Sequence, residues 1–393
     1  MRILQVLPTL SAGGAEAFVA NLCVSLAQAG AEPQLHLLST VRDRRGELLY
    51  EKLRDNGVKV SGNTYGSIRN WRVPIEFLRA ANAFRPDYVQ ANLHSSEVIV
   101  TTTNRFIQSK PKLIRRLANS RSLGLSNRLA LRWIDRRFHL TVACSETVRY
   151  YYDRELKTSH DCEIVTILNG SVLRSAPPTD AEKAAARTAL GIDNDVRVFA
   201  NIGAMRPVSR NDTSLEGAQK AHDVLITAFS RAFGATPRAI LLLVGDGPLR
   251  GPLETLAASL GIADQVRFLG MLPEPWPALE AADIFVFPSR FEGHPNVLPE
   301  AISCGLPLLI SDIRENRDML FGAPHRAVAV DDVDAFARAM VDLDQAFHSL
   351  KAQAAATAPI VLTEKSMDSC AAAYISAFAS IGRHPQFSGT DRQ

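Results

Sequence analysis

Residues 282–309, ADIFVFPSRFEGHPNVLPEAISCGLPLL, decide the fold. They set a short apolar strand at 284–288 ahead of a loop with Glu292 and Gly293. A helix carrying Glu300 and a second apolar strand follow directly, the pattern of a parallel sheet built from βα units. The two glutamates stand eight positions apart. One therefore closes a loop at the end of a strand, and the other lies one or two turns into the next helix. Carboxylates beside a helix N-terminus can hold the hydroxyls and phosphates of a single ligand. The stretch points to a site for a phosphorylated sugar.

Outward from it, both halves of the chain alternate apolar runs with helical periodicity. The second half predicts strands at 197–202, 239–244, 266–269 and 307–311, and helices at 221–233, 251–260, 276–281 and 298–304. The first half predicts strands at 2–8, 34–39, 88–91, 112–116 and 140–143, with helices at 15–29, 46–56, 74–84, 95–107, 126–137 and 146–154. The Pro- and Ser-rich segment 171–180, SVLRSAPPTD, reads as an interdomain linker. A last helix at 366–381 is placed to pack back on the first domain, and the polar residues 382–393 read as a disordered tail. A length of 393 residues fits two domains. Two such α/β domains facing each other put both sets of strand ends at one cleft, where open α/β sheets bind ligands.

Bulk properties narrow the function. The chain is 46% hydrophobic and 22% charged, an ordinary globular composition. A net charge of +3 excludes a nucleic-acid-type polycation, so no nucleic acid is expected. Five scattered cysteines without a C-x-x-C pair fit buried thiols in a reducing compartment and neither a disulfide framework nor a zinc site. The N-terminus MRILQVLPTL lacks the apolar core and cleavage site of a signal peptide, and no apolar run reaches the roughly 18 residues of a membrane span. These features lead to an expected cytoplasmic location. Residues 105–137 hold ten Lys or Arg against Asp135 alone. Arg128, Arg132 and Arg136, spaced by four on one helix face, form either a solvated face or a peripheral contact with anionic membrane.

Further motifs each carry two readings. SAGGAE, 11–16, follows the first strand. Gly13 and Gly14 either make a tight turn or bring free amides at a helix N-terminus close to a ligand. It is not the G-x-G-x-x-G fingerprint, which disfavours a NAD enzyme. GDGP, 245–248, reads chiefly as a turn with a capping Asp and an N-terminal Pro. Arg206 and Lys220 are two cations that could neutralise a diphosphate or simply be solvated. His94, past a strand end, is either structural or a donor to a sugar hydroxyl. Ser145 and Asn169-Gly170 read as structural groups.

In this order along the chain, with VGDGPLRGPLETLAASLGIADQVRFLG followed by PSRFEGHPNVLPEAISCGLPLLISDIRENRDML, these motifs resemble the retaining glycosyltransferases of family four, glycosyl transferases group 1. The resemblance covers nearly the whole chain, and Glu292 and Glu300 match the family's paired glutamates with seven residues between them. EGHPNVLPEA with SDIRENRDML looks most like bacterial members that build cell-surface polysaccharide or lipid-linked glycan. The resemblance implies the GT-B fold. An acceptor-binding Rossmann-like domain would cover 1–172 plus the helix 366–381, and a nucleotide-sugar-binding one 173–365. It gives Glu300 the ribose hydroxyls, Glu292 the donor-sugar hydroxyls, and the backbone of Gly293, His294, Pro295, Asn296 and Val297 the phosphates. Arg206 and Lys220 match the phosphate-binding pair, and Gly13-Gly14 the glycine loop beside the diphosphate. The 269–272 segment around Met271 falls where the base is met, and His94 lies near the sugar's primary hydroxyl. Two departures stand out. The extra stretch VSRNDTSLEGAQ makes Arg210 a rival phosphate ligand, and Ala221 replaces the glycine that usually follows the lysine.

The expected reaction is retaining transfer of a hexose from a UDP- or GDP-sugar to a glycan or lipid-linked acceptor, with no cofactor. No D-x-D pair stands at a strand end; Asp331-Asp332 lies far downstream, so a metal-independent enzyme is expected. The alternatives are a nucleotide-sugar epimerase on the same fold and a non-catalytic nucleotide-sugar-binding subunit. A PLP-dependent phosphorylase is disfavoured by the modest length.

Overall fold

The structure is a computed structural model that describes residues 1–10, 14–40, 44–62, 67–68, 70–117, 134, 136–156, 162–208, 214–234, 238–272 and 274–381. Its contacts divide the chain into two units, residues 1–170 with 365–393, and residues 171–364.

In the first unit the described strands are β1 (Arg2–Leu7), β2 (Glu32–Leu37), β3 (Lys59–Gly62), β4 (Tyr88–Asn92), β5 (Lys112–Leu117), β6 (Leu140–Ala143) and β7 (Glu163–Thr166). They pair in parallel in the order β3-β2-β1-β4-β5-β6-β7. The order reverses between β1 and β4, so the connections leaving these two strands flank the switch point where open sheets bind ligands. Leu4, Val6, Val89, Ala91 and Leu113 face Phe77 and Val100 of the covering helices in one buried cluster. After the second unit the chain returns, and the helix Met367–Ser380 packs on this unit. Tyr374 meets Phe18 of the helix Gly14–Gln28 at 6.5 Å, and Phe378 stacks on Tyr88 at 5.2 Å.

The second unit has, among its described residues, β8 (Arg197–Ile202), β9 (Ala239–Val244), β10 (Val266–Gly270), β11 (Ile284–Phe287), β12 (Leu308–Ser311) and β13 (His325–Val328). They are also parallel, in the order β10-β9-β8-β11-β12-β13, with the switch between β8 and β11. β9 reads AILLLV and is buried throughout, because helices cover both faces of the sheet. Leu241 and Leu243 join one core cluster, and Ile240, Leu242 and Val244 the other. The edge of the sheet where its strands begin is bolted by Asp283. It accepts from Lys183 at 2.6 Å, from Arg187 at 2.7 Å and from the Val198 amide at 2.9 Å. Burial works to raise its pKa, but the two cations outweigh it and hold Asp283 below the usual range.

Segment 171–180 is not a free linker. Ser171 Oγ donates to the Asn296 carbonyl at 3.3 Å, and Arg174 pairs with Glu280 and with Glu182, so this stretch packs on the second unit. Thr179 and Glu182 then form a capping box that starts a helix at Asp180–Ala189, which sequence patterning did not anticipate. The 33-residue helix Val333–Lys365 and the edge strands β3, β7 and β13 were also unforeseen. The expected helix at 126–137 and the tail 382–393 lie wholly or mainly outside the described residues. No helix among the described residues is long and apolar enough to cross a membrane.

Candidate functional site

Because the sheet of the second unit is parallel, the connections that follow β8, β9, β10 and β11 leave from one edge. Four adjacent strands span about 14 Å there, at roughly 4.8 Å per spacing. Lys220, in the connection after β8, and Glu292, in the connection after β11, meet at the switch point. Lys220 Nζ donates to Glu292 Oε1 at 2.6 Å, and the pair is shielded, with side-chain exposures of 20% and 7%. The ammonium also sits 4.8 Å from the centre of the Phe287 ring, which places β11 beneath it. Gln219 Nε2 donates to the Phe291 carbonyl at 3.0 Å and reaches Glu292 Oε2 at 3.4 Å.

Local backbone explains how Lys220 is presented. Ala221 has φ +48° and ψ +40°, the left-handed region that glycine enters freely. The turn therefore keeps the shape that a glycine after the lysine would adopt without strain. Next comes His222, buried and pushed down to about 3 by desolvation and then by the charge of Lys220, so it is neutral beside the cation. Gly203, just past β8, leaves room for the lysine stem. A Cβ there would lie 3.0 Å from Lys220 Cγ.

The GDGP turn does more than reverse the chain. Gly245 has φ +133°, and a Cβ on it would sit 2.0 Å from the Gly203 carbonyl oxygen. At Gly247, with φ +150°, the same atom would be 2.3 Å from the Met205 oxygen. Met205 N–H donates to the Asp246 carbonyl at 3.1 Å, and Leu249 N–H donates to the Met205 carbonyl at 3.0 Å. Backbone thus lies directly on backbone, and the loop that carries Arg206 is braced by the next loop. The Arg206 side chain is exposed. Arg210 lies outside the described residues.

Glu300 occupies the first turn of the helix Val297–Ser303 and is partly exposed. Pro299 beside it is tolerated because an amide so early in a helix has no intrahelical acceptor. Asn296 stands at the N-cap without a side-chain cap bond, and its Oδ1 is buried with no hydrogen-bond partner among the described residues. Gly293, His294, Pro295 and Val297 belong to the same short connection. Met271 follows β10 at the far end of the edge, partly buried.

The remaining expected residues belong to the first unit. Gly14 opens the helix after β1 and is exposed, while Gly13 is outside the described residues. His94 opens the helix His94–Thr103 after β4. Its Nδ1 lies 3.4 Å from Glu97 Oε2, and that hydrogen bond raises the imidazole pKa above its ordinary value. Glu97 is buried and faces Arg115 Nε at 3.9 Å, and Arg115 in turn donates to the Tyr152 hydroxyl. Asn169 and Ser145 are structural here: Asn169 Oδ1 accepts from Arg116 at 2.7 Å, and Ser145 Oγ accepts from the Val148 amide at 3.2 Å.

One expectation needs correction. The basic stretch 105–137 is not one surface, because Arg115 and Arg116 point into the protein from β5 with exposures of 0% and 2%. Arg136 is exposed, while Arg128 and Arg132 are outside the described residues. Asp331, far downstream in sequence and exposed, nonetheless reaches the frame of this site. It accepts from Arg290 Nε at 2.7 Å, two residues before Glu292. Asp332 caps the helix after it, accepting from the Ala335 amide at 2.9 Å.

Sequence reading missed Arg290, Gln219 and Asp223 as parts of the site's frame. Arg290 pairs with Asp223 at 2.8 Å and donates to the Ala218 carbonyl at 2.6 Å. A charged residue between a buried strand and Glu292 was the available signal.

Residues 213–345 match the family model described as Glycosyl transferases group 1. This segment of the chain is similar to glycosyl transferases group 1 domains. Among curated relatives, the chain is 29% identical over 305 residues to the lipopolysaccharide core biosynthesis glycosyltransferase LpsD of Rhizobium meliloti, covering 76% of this chain and 75% of that one. It is 30% identical over 181 residues to a GDP-mannose-dependent phosphatidylinositol monomannoside mannosyltransferase of Corynebacterium glutamicum, 44% of each chain. An uncharacterized glycosyltransferase of Methanocaldococcus jannaschii is 35% identical over 123 residues, 31% of this chain. The match spans only 28% of the Methanocaldococcus relative's length and 44% of the Corynebacterium one's. Among solved structures, Anabaena HepE in complex with UDP and glucose superposes with a TM-score of 0.80 at 16% identity, over 97% of this chain and all of that one. Sucrose-phosphate synthase of Thermosynechococcus elongatus gives 0.74 at 17% identity, with the same coverage. The fold is GT-B, two Rossmann-like parallel-sheet domains.

Proposed function

We propose that the protein is a metal-independent, retaining glycosyltransferase that moves a hexose from a UDP- or GDP-sugar to a glycan or lipid-linked acceptor in cell-surface polysaccharide synthesis. One observation carries the reading: a shielded Lys220–Glu292 pair at the switch point of a sheet, in the segment similar to group 1 domains. The names of relatives in lipopolysaccharide core synthesis support the acceptor class, and the UDP and glucose held by HepE support the donor class. The acceptor-binding role belongs to the first unit and the nucleotide-sugar role to the second.

In this reading the donor lies along the strand-end edge. The 269–272 segment with Met271 meets the base, Glu300 takes the ribose hydroxyls, and Glu292 takes hydroxyls of the sugar. Transfer breaks the anomeric C–O bond, and negative charge grows on the β-phosphate as the sugar gains oxocarbenium character. Lys220 spends one N–H on Glu292, which leaves others for that oxygen. Arg206 or Arg210 supplies the second cation, and backbone amides of the 293–297 connection, other than at Pro295, add donors to the diphosphate. The acceptor attacks from the face the leaving group departs, and its proton passes to the departing phosphate. Glu292 orients the sugar and forms no covalent bond to it. The proposal also keeps the roles that the resemblance gives His94 at the sugar and Gly13 and Gly14 at the diphosphate. The basic residues outside the protein interior keep the role of a peripheral contact with anionic membrane.

A thermal-shift screen of UDP-, GDP- and ADP-sugars tests the donor, since a ligand of the native state raises its apparent stability. Stabilisation by UDP- or GDP-sugars is expected, and no shift with any nucleotide sugar refutes the reading. Glu300→Ala should lose nucleotide-sugar affinity in calorimetry; wild-type binding would remove its ribose role. Full activity is expected in excess EDTA, and complete loss would refute metal independence. Incubation with donor alone separates the epimerase, which converts it fully; adding acceptor separates the binding subunit, which leaves both donor and acceptor unchanged.

A further inference from the structure

Lys220 and Glu292 stand on connections that leave different strands, β8 and β11. Arg290 ties those connections together. Its backbone N–H donates to the Gln219 carbonyl at 2.8 Å, and Nη1 donates to the Ala218 carbonyl at 2.6 Å. Nη1 and Nη2 grip both oxygens of Asp223, at 3.2 and 2.8 Å. Nε donates to Asp331 at 2.7 Å, and Asp331 itself is held at φ +64°. One largely buried side chain thus anchors the positions two before and three after Lys220, while its own backbone leads into Phe291 and Glu292. Gln219 closes the loop from the other side through its bonds to Phe291 and Glu292.

We propose that Arg290 is a positioning residue for the transfer site, setting the separation and direction of Lys220 and Glu292 through Asp223, Asp331 and the Ala218 carbonyl. The inference rests on the reading of Lys220 and Glu292 as donor-binding groups. Arginine is required because its rigid planar fork presents N–H donors in fixed directions toward three separate groups, Ala218, Asp223 and Asp331. An ammonium of the same charge cannot meet all of them at once.

The test uses the full chain carrying Arg290→Lys, with Asp223→Asn as a second variant that weakens the same clamp from the other side. UDP and GDP are titrated by calorimetry, and amide hydrogen exchange is read over 217–223 and 290–293. Arg290→Lys should speed exchange there at least tenfold while leaving the rest of the second unit protected. It should weaken whichever diphosphate the wild type binds about tenfold. In a Lys220→Ala background the same substitution should produce no further loss, because Arg290 acts through Lys220. Unchanged local exchange, or an equal tenfold loss in the Lys220→Ala background, overturns the proposal. Failure of the wild type to bind either diphosphate overturns the donor reading and the proposal with it, an outcome distinct from binding that Arg290→Lys leaves intact.

Discussion

The two units share a parallel sheet and the same strand-order reversal, yet they place their charges differently. In the second unit the cations Lys220 and Arg290 lie in connections beyond the strand ends, each paired across to a carboxylate from another connection. In the first unit the cations Arg115 and Arg116 are on a strand and inside the protein. Their surroundings are largely neutral or aromatic: Arg116 lies 4.2 Å from the Phe18 ring centre and bonds Asn169, while Arg115 sits 4.8 Å from the Tyr152 ring centre. The neighbouring strands carry a buried ladder of neutral amides, Gln5 to Gln90 at 3.1 Å and Asn92 to Gln5 at 2.9 Å. Charge at connecting loops can be turned toward a ligand. Charge inside a sheet stabilises only the sheet, and removing its partner leaves an uncompensated ion.

The comparison is most sharply broken by two substitutions of similar size acting on different quantities. Lys220→Ala should cost about 2.7–4 kcal/mol of barrier, roughly 100- to 1,000-fold in kcat, with a stability loss smaller than that of Arg115→Met because Lys220 is partly open to solvent. Arg115→Met should do the reverse. It strips Glu97 of a buried partner and should lower unfolding free energy by about 3 kcal/mol in urea titration. A stability loss for Lys220→Ala as large as that for Arg115→Met would erase the distinction between the units.

A smaller effect tests the turn that presents the lysine. Ala221→Gly relieves a left-handed residue and should stabilise the protein by about 1 kcal/mol in chemical denaturation. Destabilisation would mean that the buried methyl group outweighs the backbone strain.

The smallest concerns His94. Its folded pKa is raised, so the stability it lends is fully present below the ordinary imidazole pKa. That increment is lost as pH rises through the folded value. With more than half of the side chain exposed, solvent screening keeps the contribution small. Glu97→Gln should bring the His94 titration, followed by NMR, back toward the ordinary value. An unmoved titration would remove Glu97 as its cause.

The sequence was most readable where apolar runs are continuous. β8, β9 and β11 are buried on both faces, and their runs stand out against polar connections. The edge strands β3 (KVSG) and β7 (EIVT) were not visible, because short half-polar segments bury too little to show a pattern. The helix Val333–Lys365 was hidden by Pro359 and by an alanine-rich stretch without a clear apolar stripe. At the candidate site, residue types and spacing picked out Glu292 and Glu300, while Lys220 was singled out with Arg206 by the family resemblance. Spacing could not reveal that Asp331 returns to Arg290 across 41 positions, since that contact is made only by the folded sheet. The turn glycines at 245 and 247 were legible as turns, but their need to touch another loop was not.

That contact has a mechanical consequence. Gly245 lies against the Gly203 carbonyl and Gly247 against the Met205 carbonyl with no side chain between. Two loops in such contact have no free play, so the edge from β9 to β8 behaves as one stiff rail. A shift of the loop after β9 is transmitted to the loop that bears Arg206, with no side-chain rotamer available to absorb it.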